Sequence, residues 1–317
     1  MINIMYAADD NYASILAVSI LSLCKYNQEL NIVVIDNGIS SNNKKIIEDI
    51  VIKANSKIMF VMSKNIEEMF PFSLNMDRGS IAQFSRLFIG DIVPREWEKV
   101  LYLDCDTLIM KSLDDLYNFD LDGNVLGGVE DAFSKLHWKK LGLHKNSCNI
   151  NSGVMLIDLE QWKKQEIEGK LISYIITKKG KILQGDQGII NAVLNGMIKK
   201  IPLKYNMVTY HYDFTFEEMM RYRRPYKYYS EKETENAKAE VVIIHFTSSF
   251  ASMRPWEQID IRHPYAELWN KYYEQLGFTR KNVNKKLSCK LYKMLPHNTL
   301  LNCISIVHCY LKPILKG

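Results

Sequence analysis

The sequence predicts an α/β fold with a mainly parallel central sheet covered by helices. Three observations lead there. Between residues 2 and 62, short apolar runs of strand length alternate with stretches of helical spacing. The 317-residue chain is 47% hydrophobic and 24% charged, an ordinary globular composition at a length that can bury a large core. No run of about 18 apolar residues occurs, so no transmembrane helix is expected.

The elements follow in order. INIMYAA (2–8) reads as a buried strand, and YASILAVSILSLCKY (12–26) follows it with helical spacing. LNIVVIDNG (30–38) is a second strand closed by turn residues. A Ser/Asn start marks a helix at 41–54, and KIMFVM (57–62) is a third strand. A helix over 81–90 precedes the strand KVLYLDCD (99–106). Further strands are expected at 125–131, 152–159 and 241–246, and helices at 159–178 and 186–196. Residues 210–240 are polar, aromatic and irregular, and read as surface helices or loops.

Charge is unevenly spread. Eight of the 41 basic residues and none of the 36 acids lie at 280–317, so residues 1–279 are close to neutral. Two units are therefore expected: a folded domain over 1–279 and a basic helical tail over 280–317. In the tail, Leu287, Leu291, Met294 and Leu295 share a helical face, Pro296 breaks it, and a second apolar stretch runs over 300–311. Such a tail can lie on an anionic membrane surface or pack on the domain or a partner. No basic patch within the domain points to nucleic acid. The six cysteines form no CxxC pair and read as free thiols of a reducing compartment. MINIMYAADDNY has no basic n-region, so no signal peptide is expected. Neither GxGxxG nor GxxxxGK[ST] is present.

The chemistry concentrates at the end of LYLDCDTL. Asp104 and Asp106 are two apart, which in extended chain places them on one side, roughly 6.6 Å from each other. A buried carboxylate is costly without a cation or donors. At the carboxyl end of an α/β sheet the pair could share Mn or Mg and neutralise a diphosphate. Alternatively they end a strand in solvent. A hydrophobic strand followed by Asp-x-Asp-x-Thr is also the nucleophile motif of haloacid-dehalogenase-like phosphohydrolases. GDQGIIN (185–191) resembles that family's downstream metal motif but ends in Asn191.

Six segments taken in order resemble glycosyltransferase family 8, which includes bacterial lipopolysaccharide α-galactosyl- and glucosyltransferases and glycogenin. They are MYAADDNYASILAVSILSL, SIAQFSRLFIGDIVP, EKVLYLDCDTLIMKSLDDLY, INSGVMLIDLEQW, LQGDQGIINAVLNG and HFTSSFASMRPW. The resemblance implies a GT-A-type Rossmann-like fold, a UDP-sugar donor, dependence on Mn or Mg, and transfer with retention. It implies that Ala7, Asp9, Asn11 and Tyr12 surround the uridine. It makes Asp104, Asp106 and His245 metal ligands, with Cys105 beside the ribose. Arg86 would contact donor sugar and phosphate, and Asn151 and Asp131 would line the sugar and acceptor pocket. Asp186 and Gln187 would sit beside the anomeric carbon. An amide is a poor nucleophile, so front-side displacement is expected, with the leaving phosphate deprotonating the incoming hydroxyl. The closing motif departs from the family's His-x-x-Gly and Lys-Pro-Trp: Ser248 stands for the glycine and Arg254 for the lysine, after a longer gap. Arginine can still clamp phosphate.

The resulting expectation is a cytoplasmic, membrane-associated hexosyltransferase moving galactose or glucose from UDP to a glycan, glycolipid or glycoprotein acceptor. A non-catalytic UDP-sugar binder is the third alternative.

Overall fold

The structure, a computed structural model, describes residues 1–64, 66–74, 81–257, 263–279 and 297–316. Ten strands occur among them: β1 (Ile2–Ala8), β2 (Leu30–Asp36), β3 (Lys57–Met62), β4 (Lys99–Leu103), β5 (Thr107–Ile109), β6 (Leu126–Glu130), β7 (Ile150–Asp158), β8 (Ile198–Lys200), β9 (Met207–Val208) and β10 (Ile243–His245). Seven form one sheet in the order β3-β2-β1-β4-β7-β6-β8. All its pairs are parallel except those of β7, which runs against both β4 and β6. A small second sheet, β5-β10-β9, lies beside it.

The central strands β1, β2, β4, β6 and β7 are largely apolar because both faces of the sheet are covered there, while the edge strands β3 and β8 are partly exposed. Alternate side chains of β1 and β2 go to opposite layers. Ile4, Tyr6, Ile32 and Val34 pack with helices Ala13–Tyr26 and Ser41–Lys53. Met5, Val33 and Ile35 pack with Phe84, Leu87 and Trp162 on the other side.

Helix Ala13–Tyr26 also holds the chain that leaves β4. Ser19 Oγ and Thr107 Oγ1 lie 2.9 Å apart, and Thr107 Oγ1 donates to the Asp104 carbonyl at 2.8 Å. Ser22 Oγ accepts from the Ile109 amide at 2.9 Å, and Asn27 Oδ1 from the Leu113 amide at 2.8 Å. Three buried polar residues on one helix thus fix the path of the segment that carries Asp104 and Asp106.

Several expectations shift. The helix expected over 159–178 is two, Leu159–Lys164 and Ile167–Thr177, broken where Glu166 takes φ +51°. The segment 81–90 is a 3-10 turn, Ile81–Phe88, followed by Ile89–Ile92. The short strands β5, β8 and β9 were not anticipated, since two or three residues carry no period. Residues 210–240 hold three helices, Tyr210–Asp213, Phe216–Arg223 and Glu231–Ala239. The helical face at 287–295 lies outside the described residues. The second half of the tail is helical, His297–Ile306, then a π-turn at Val307–Leu311 and a last turn Lys312–Lys316. It packs on the domain, with Leu301 and Cys309 fully buried. Among the described residues no helix is long and apolar enough to cross a membrane, and the five cysteines are free thiols.

Asn27→Leu would leave the buried Leu113 amide without its acceptor. We expect a loss of about 1–3 kcal/mol in unfolding free energy, read from the midpoint of urea denaturation at unchanged slope.

Candidate active site

The site forms where β4 ends. Asp104 follows the strand and Asp106 comes two residues on. The second sheet delivers His245, because β10 pairs with β5 so that His245 stands opposite Thr107. Imidazole Nε2 lies 3.0 Å from Asp106 Oδ1 and 3.6 Å from Asp104 Oδ2. All three side chains are buried, and their ligand atoms lie within 4.8 Å of one another.

The tautomer of His245 follows from its neighbours. The Gly153 amide donates to Asn151 Oδ1 at 3.0 Å, which orients that side chain. Asn206 Nδ2 donates to the same oxygen at 3.0 Å, so Asn206 Oδ1 faces His245 Nδ1, also at 3.0 Å. Nδ1 therefore carries a proton, and Nε2 is the nitrogen that faces the two carboxylates and can offer a lone pair to a cation. That buried nitrogen has no hydrogen-bond partner. A lone pair beside two anions is unfavourable by itself and is the donor set of a divalent cation. Space is kept by Gly153: a Cβ there would overlap His245 Cε1 and lie 2.8 Å from Asp104 Oδ2. The three residues thus fit a divalent metal ion.

Arg86 holds the acids from the other side. Its NH2 lies 2.7 Å from Asp104 Oδ1, its Nε 3.3 Å from Asp186 Oδ2, and its NH1 donates to the Ser152 carbonyl at 3.2 Å. The guanidinium carbon stands 4.5 Å from the ring centre of Tyr102, whose hydroxyl donates to Asp104 Oδ1 at 2.9 Å. Burial opposes the charge on Arg86, but Asp104 and Asp186 outweigh it and keep the guanidinium firmly protonated. Arg254 approaches Asp106 Oδ2 at 3.8 Å and donates to Tyr12 Oη and Ser248 Oγ at 3.1 and 2.8 Å.

Asp186 and Gln187 open the helix Gly185–Val193. Two successive residues of positive φ, Gln184 and Gly185, turn the chain so that the first helical turn meets β7. Asn191 fixes the helix there: its side chain accepts from the Ile150 amide at 2.7 Å and donates to the Ile150 carbonyl at 2.9 Å. Gln187 Nε2 and Asn151 Nδ2 both donate to Asp131 Oδ2 at 3.3 Å. Asp131 Oδ1 accepts from Tyr210 Oη and from Arg223, each at 3.1 Å. A cavity of about 320 Å³ joins Asp131, Asn151, Asp186 and Gln187 to Tyr210 and Ser248.

The structure therefore brings together Arg86, Asp104, Asp106, Asp131, Asn151, Asp186, Gln187, His245, Ser248 and Arg254. The segment 7–12 runs alongside. Cys105 donates its thiol to the Ala7 carbonyl at 3.1 Å, and Arg254 links to Tyr12. Asp9 Oδ1 accepts from the Tyr12 amide at 3.1 Å, so it caps the turn as well, and Asn11 is exposed. Burial, then the charges of Asp104 and Asp106, push the Cys105 thiol well up, so it stays protonated. Sequence reasoning missed Tyr102, Gly153, Asn206, Tyr210 and Arg223. A glycine inside the apolar strand INSGVMLID was the one available signal; the others lie on elements whose approach to β4 no local pattern announces.

A Rossmann-like sheet with an Asp-Asp-His centre at the end of β4 defines a glycosyltransferase of the GT-A class. The chain matches the profile of Glycosyl transferase family 8 over residues 3–260, and it belongs to that family. It is similar to General stress protein A of Bacillus subtilis, 27% identical over 289 residues, 89% of this chain and 96% of that protein. It is also similar to the lipopolysaccharide 1,2-glucosyltransferase of Escherichia coli, 25% identical, over 81% of this chain and 73% of that protein. The crystal structure of galactosyltransferase LgtC in complex with donor and acceptor sugar analogs superposes with a TM-score of 0.72 at 26% identity, covering 88% of this chain and 98% of that one. Asn191, where a phosphohydrolase motif needs an acid, is occupied as a structural tie, and that alternative gives way to the family.

Gly153→Ala should abolish Mn binding measured by titration calorimetry while the far-ultraviolet circular dichroism stays unchanged. Asn206→Leu, which frees His245 Nδ1, should weaken Mn affinity about 10–100-fold, the usual cost of losing a residue that orients a metal ligand.

Proposed function

We propose that the protein is a metal-dependent, retaining hexosyltransferase. It would move galactose or glucose from a UDP-sugar to the hydroxyl of a glycan, glycolipid or glycoprotein. The observation that carries this reading is the unpartnered Nε2 of His245 facing two buried carboxylates. Mn or Mg held by Asp104, Asp106 and His245 would neutralise the diphosphate of the donor.

The chain's own residues do the rest. Arg86 and Arg254 flank the ligand cluster and offer guanidinium groups to phosphate oxygens. Ala7, Asp9, Asn11, Tyr12 and Cys105 lie along one edge and serve as the uridine subsite. Tyrosine there offers a stacking face and the carboxylate accepts the uracil N3–H. Asp186, fixed by Arg86 and by Ser152 Oγ at 3.3 Å, holds a hydroxyl of the donor sugar. Gln187, fixed by Asp131, sits on the face opposite the leaving group. Its amide is no nucleophile, so we assign front-side displacement. The incoming hydroxyl loses its proton to the departing β-phosphate, the C1–O bond to phosphate breaks, and the new glycosidic bond forms on the same face. The protein then acts through positioning and charge. Asn151, Asp131 and Ser248 all line the cavity; we assign Asn151 to the donor sugar and Asp131 and Ser248 to the acceptor.

The free cysteines among the described residues support a cytoplasmic place of action. On the tail, Val307, Tyr310, Leu311, Ile314 and Leu315 are exposed, which supports contact with an anionic membrane face.

Purified protein mixed with UDP-galactose or UDP-glucose and Mn should release UDP slowly without acceptor, and chelation by EDTA should stop it. Asp104→Asn should lower the rate at least about 100-fold, the scale of a lost charge-stabilising group. UDP affinity with no release from either donor would leave a binder rather than a transferase. Phosphate release from p-nitrophenyl phosphate would restore the phosphohydrolase.

A further inference from the structure

The tail's inner side reaches the same cavity as Asp131 and Gln187. His308 stacks on Phe133 and His137 at centroid separations of 5.8 and 5.3 Å. Its Nε2 lies 2.5 Å from Arg223 NH1 and must be the acceptor, because a guanidinium only donates. The same Arg223 donates through Nε to the Ala132 carbonyl at 2.9 Å and through NH2 to Asp131 Oδ1 at 3.1 Å. A continuous relay therefore runs from His308 through Arg223 to the carboxylate that anchors Gln187 and Asn151. Two further bonds fix the turn carrying His308: Ser134 Oγ donates to the Cys309 carbonyl at 3.0 Å, and the Cys309 thiol to the Arg223 carbonyl at 3.1 Å. His308 and Lys312 both stand in the wall of the 320 Å³ cavity that Asp186 and Gln187 also line.

We propose that the C-terminal segment 297–316 forms the acceptor-side wall of the catalytic cavity. His308 positions Asp131 through Arg223, and Lys312 contacts the acceptor sugar. The inference rests on the glycosyl-transfer reading of the site. An ammonium on a flexible stem offers three donors to sugar hydroxyls. The carboxylate of Asp131, held by Tyr210, Arg223, Asn151 and Gln187, can keep one fixed direction only while Arg223 is itself held from behind. The tail is then part of the active site on its inner side, whatever its outer side meets.

The test uses the full chain carrying His308→Phe, His308→Gln or Lys312→Met. Phenylalanine keeps the ring stack but cannot accept from Arg223, whereas the glutamine amide oxygen can. UDP release is measured from UDP-galactose and UDP-glucose with Mn, alone and with a panel of methyl α- and β-glycosides of glucose, galactose and N-acetylglucosamine. The glycoside that most speeds the unaltered chain is kept. His308→Phe should lower the acceptor-dependent kcat/KM about tenfold, the size of a lost hydrogen bond to a charged group. His308→Gln should restore most of it, and Lys312→Met should raise the acceptor KM about tenfold. In all three, acceptor-free UDP release and donor KM should change by less than the acceptor-dependent kcat/KM. Unchanged acceptor kinetics in His308→Phe and Lys312→Met would overturn the inference. So would an equal loss of acceptor-free release, which marks a general structural role, or a panel in which no glycoside speeds the unaltered chain. If the unaltered chain releases no UDP from either donor, it is the glycosyl-transfer reading that fails.

Discussion

Asp104, Asp106 and Asp186 each sit below a tenth exposed, close to one another, and such a concentration of negative charge in a low-dielectric interior has to be compensated. Arg86 supplies part of the compensation: one guanidinium spans Asp104, Asp186 and the Ser152 carbonyl, with its carbon 4.5 Å from the Tyr102 ring centre. Arg254 approaches Asp106 only at 3.8 Å, at the edge of ion-pair range. His245 Nε2 faces the same carboxylates from the second sheet. The surrounding architecture serves this cluster. Strand β4 ends at the acids, helix Ala13–Tyr26 pins the chain beyond them, and the small second sheet exists to bring His245 across.

One amide joins the two halves of the site. Asn151 Oδ1 receives the Gly153 amide and Asn206, and through Asn206 sets the tautomer of His245. Its Nδ2 reaches Asp131 on the cavity side. Because the Gly153 amide can only donate, the direction of every bond in this chain is determined. The His245 side and the Asp131 side of the site are thus oriented by a single backbone N–H, which is how a centre built from separate elements keeps its geometry. At Cys105, in the middle of the Asp-x-Asp run, burial and the acidic neighbours keep the thiol protonated.

The tail changes the picture of the domain. Charge alone divides it from residues 1–279, yet its inner residues Leu301, His308 and Cys309 pack into helix Phe216–Arg223 and the Phe133 region, while Val307, Leu311, Ile314 and Leu315 face outward. A helix with two differently occupied sides can serve a cavity on one and a surface on the other. The buried ring stack of Phe133, His137 and His308 also depends on neutral imidazoles. Burial, with Arg223 next, pulls the His137 pKa down to about 3, and burial and Arg223 likewise depress His308.

What the sequence determined by itself was whatever rests on local pattern. Strands β1 to β4 are apolar runs flanked by polar turns, and the helices between them show their periods, because these elements bury whole faces. Asp104, Asp106, Arg86, Asp186 and Gln187 stood out as polar groups in apolar or motif-bearing surroundings, and a family resemblance ordered them. Tertiary structure alone decided the rest. It divided the helix expected over 159–178 at a left-handed Glu166, a conformation no propensity encodes. It paired β10 with β5, a contact across more than a hundred residues that places His245 on the acids. It packed the His245 ring where a Cβ of Gly153 would stand, and it folded residues 297–316 back onto Arg223. The last three are long-range contacts, and sequence periodicity carries information only about neighbours along the chain.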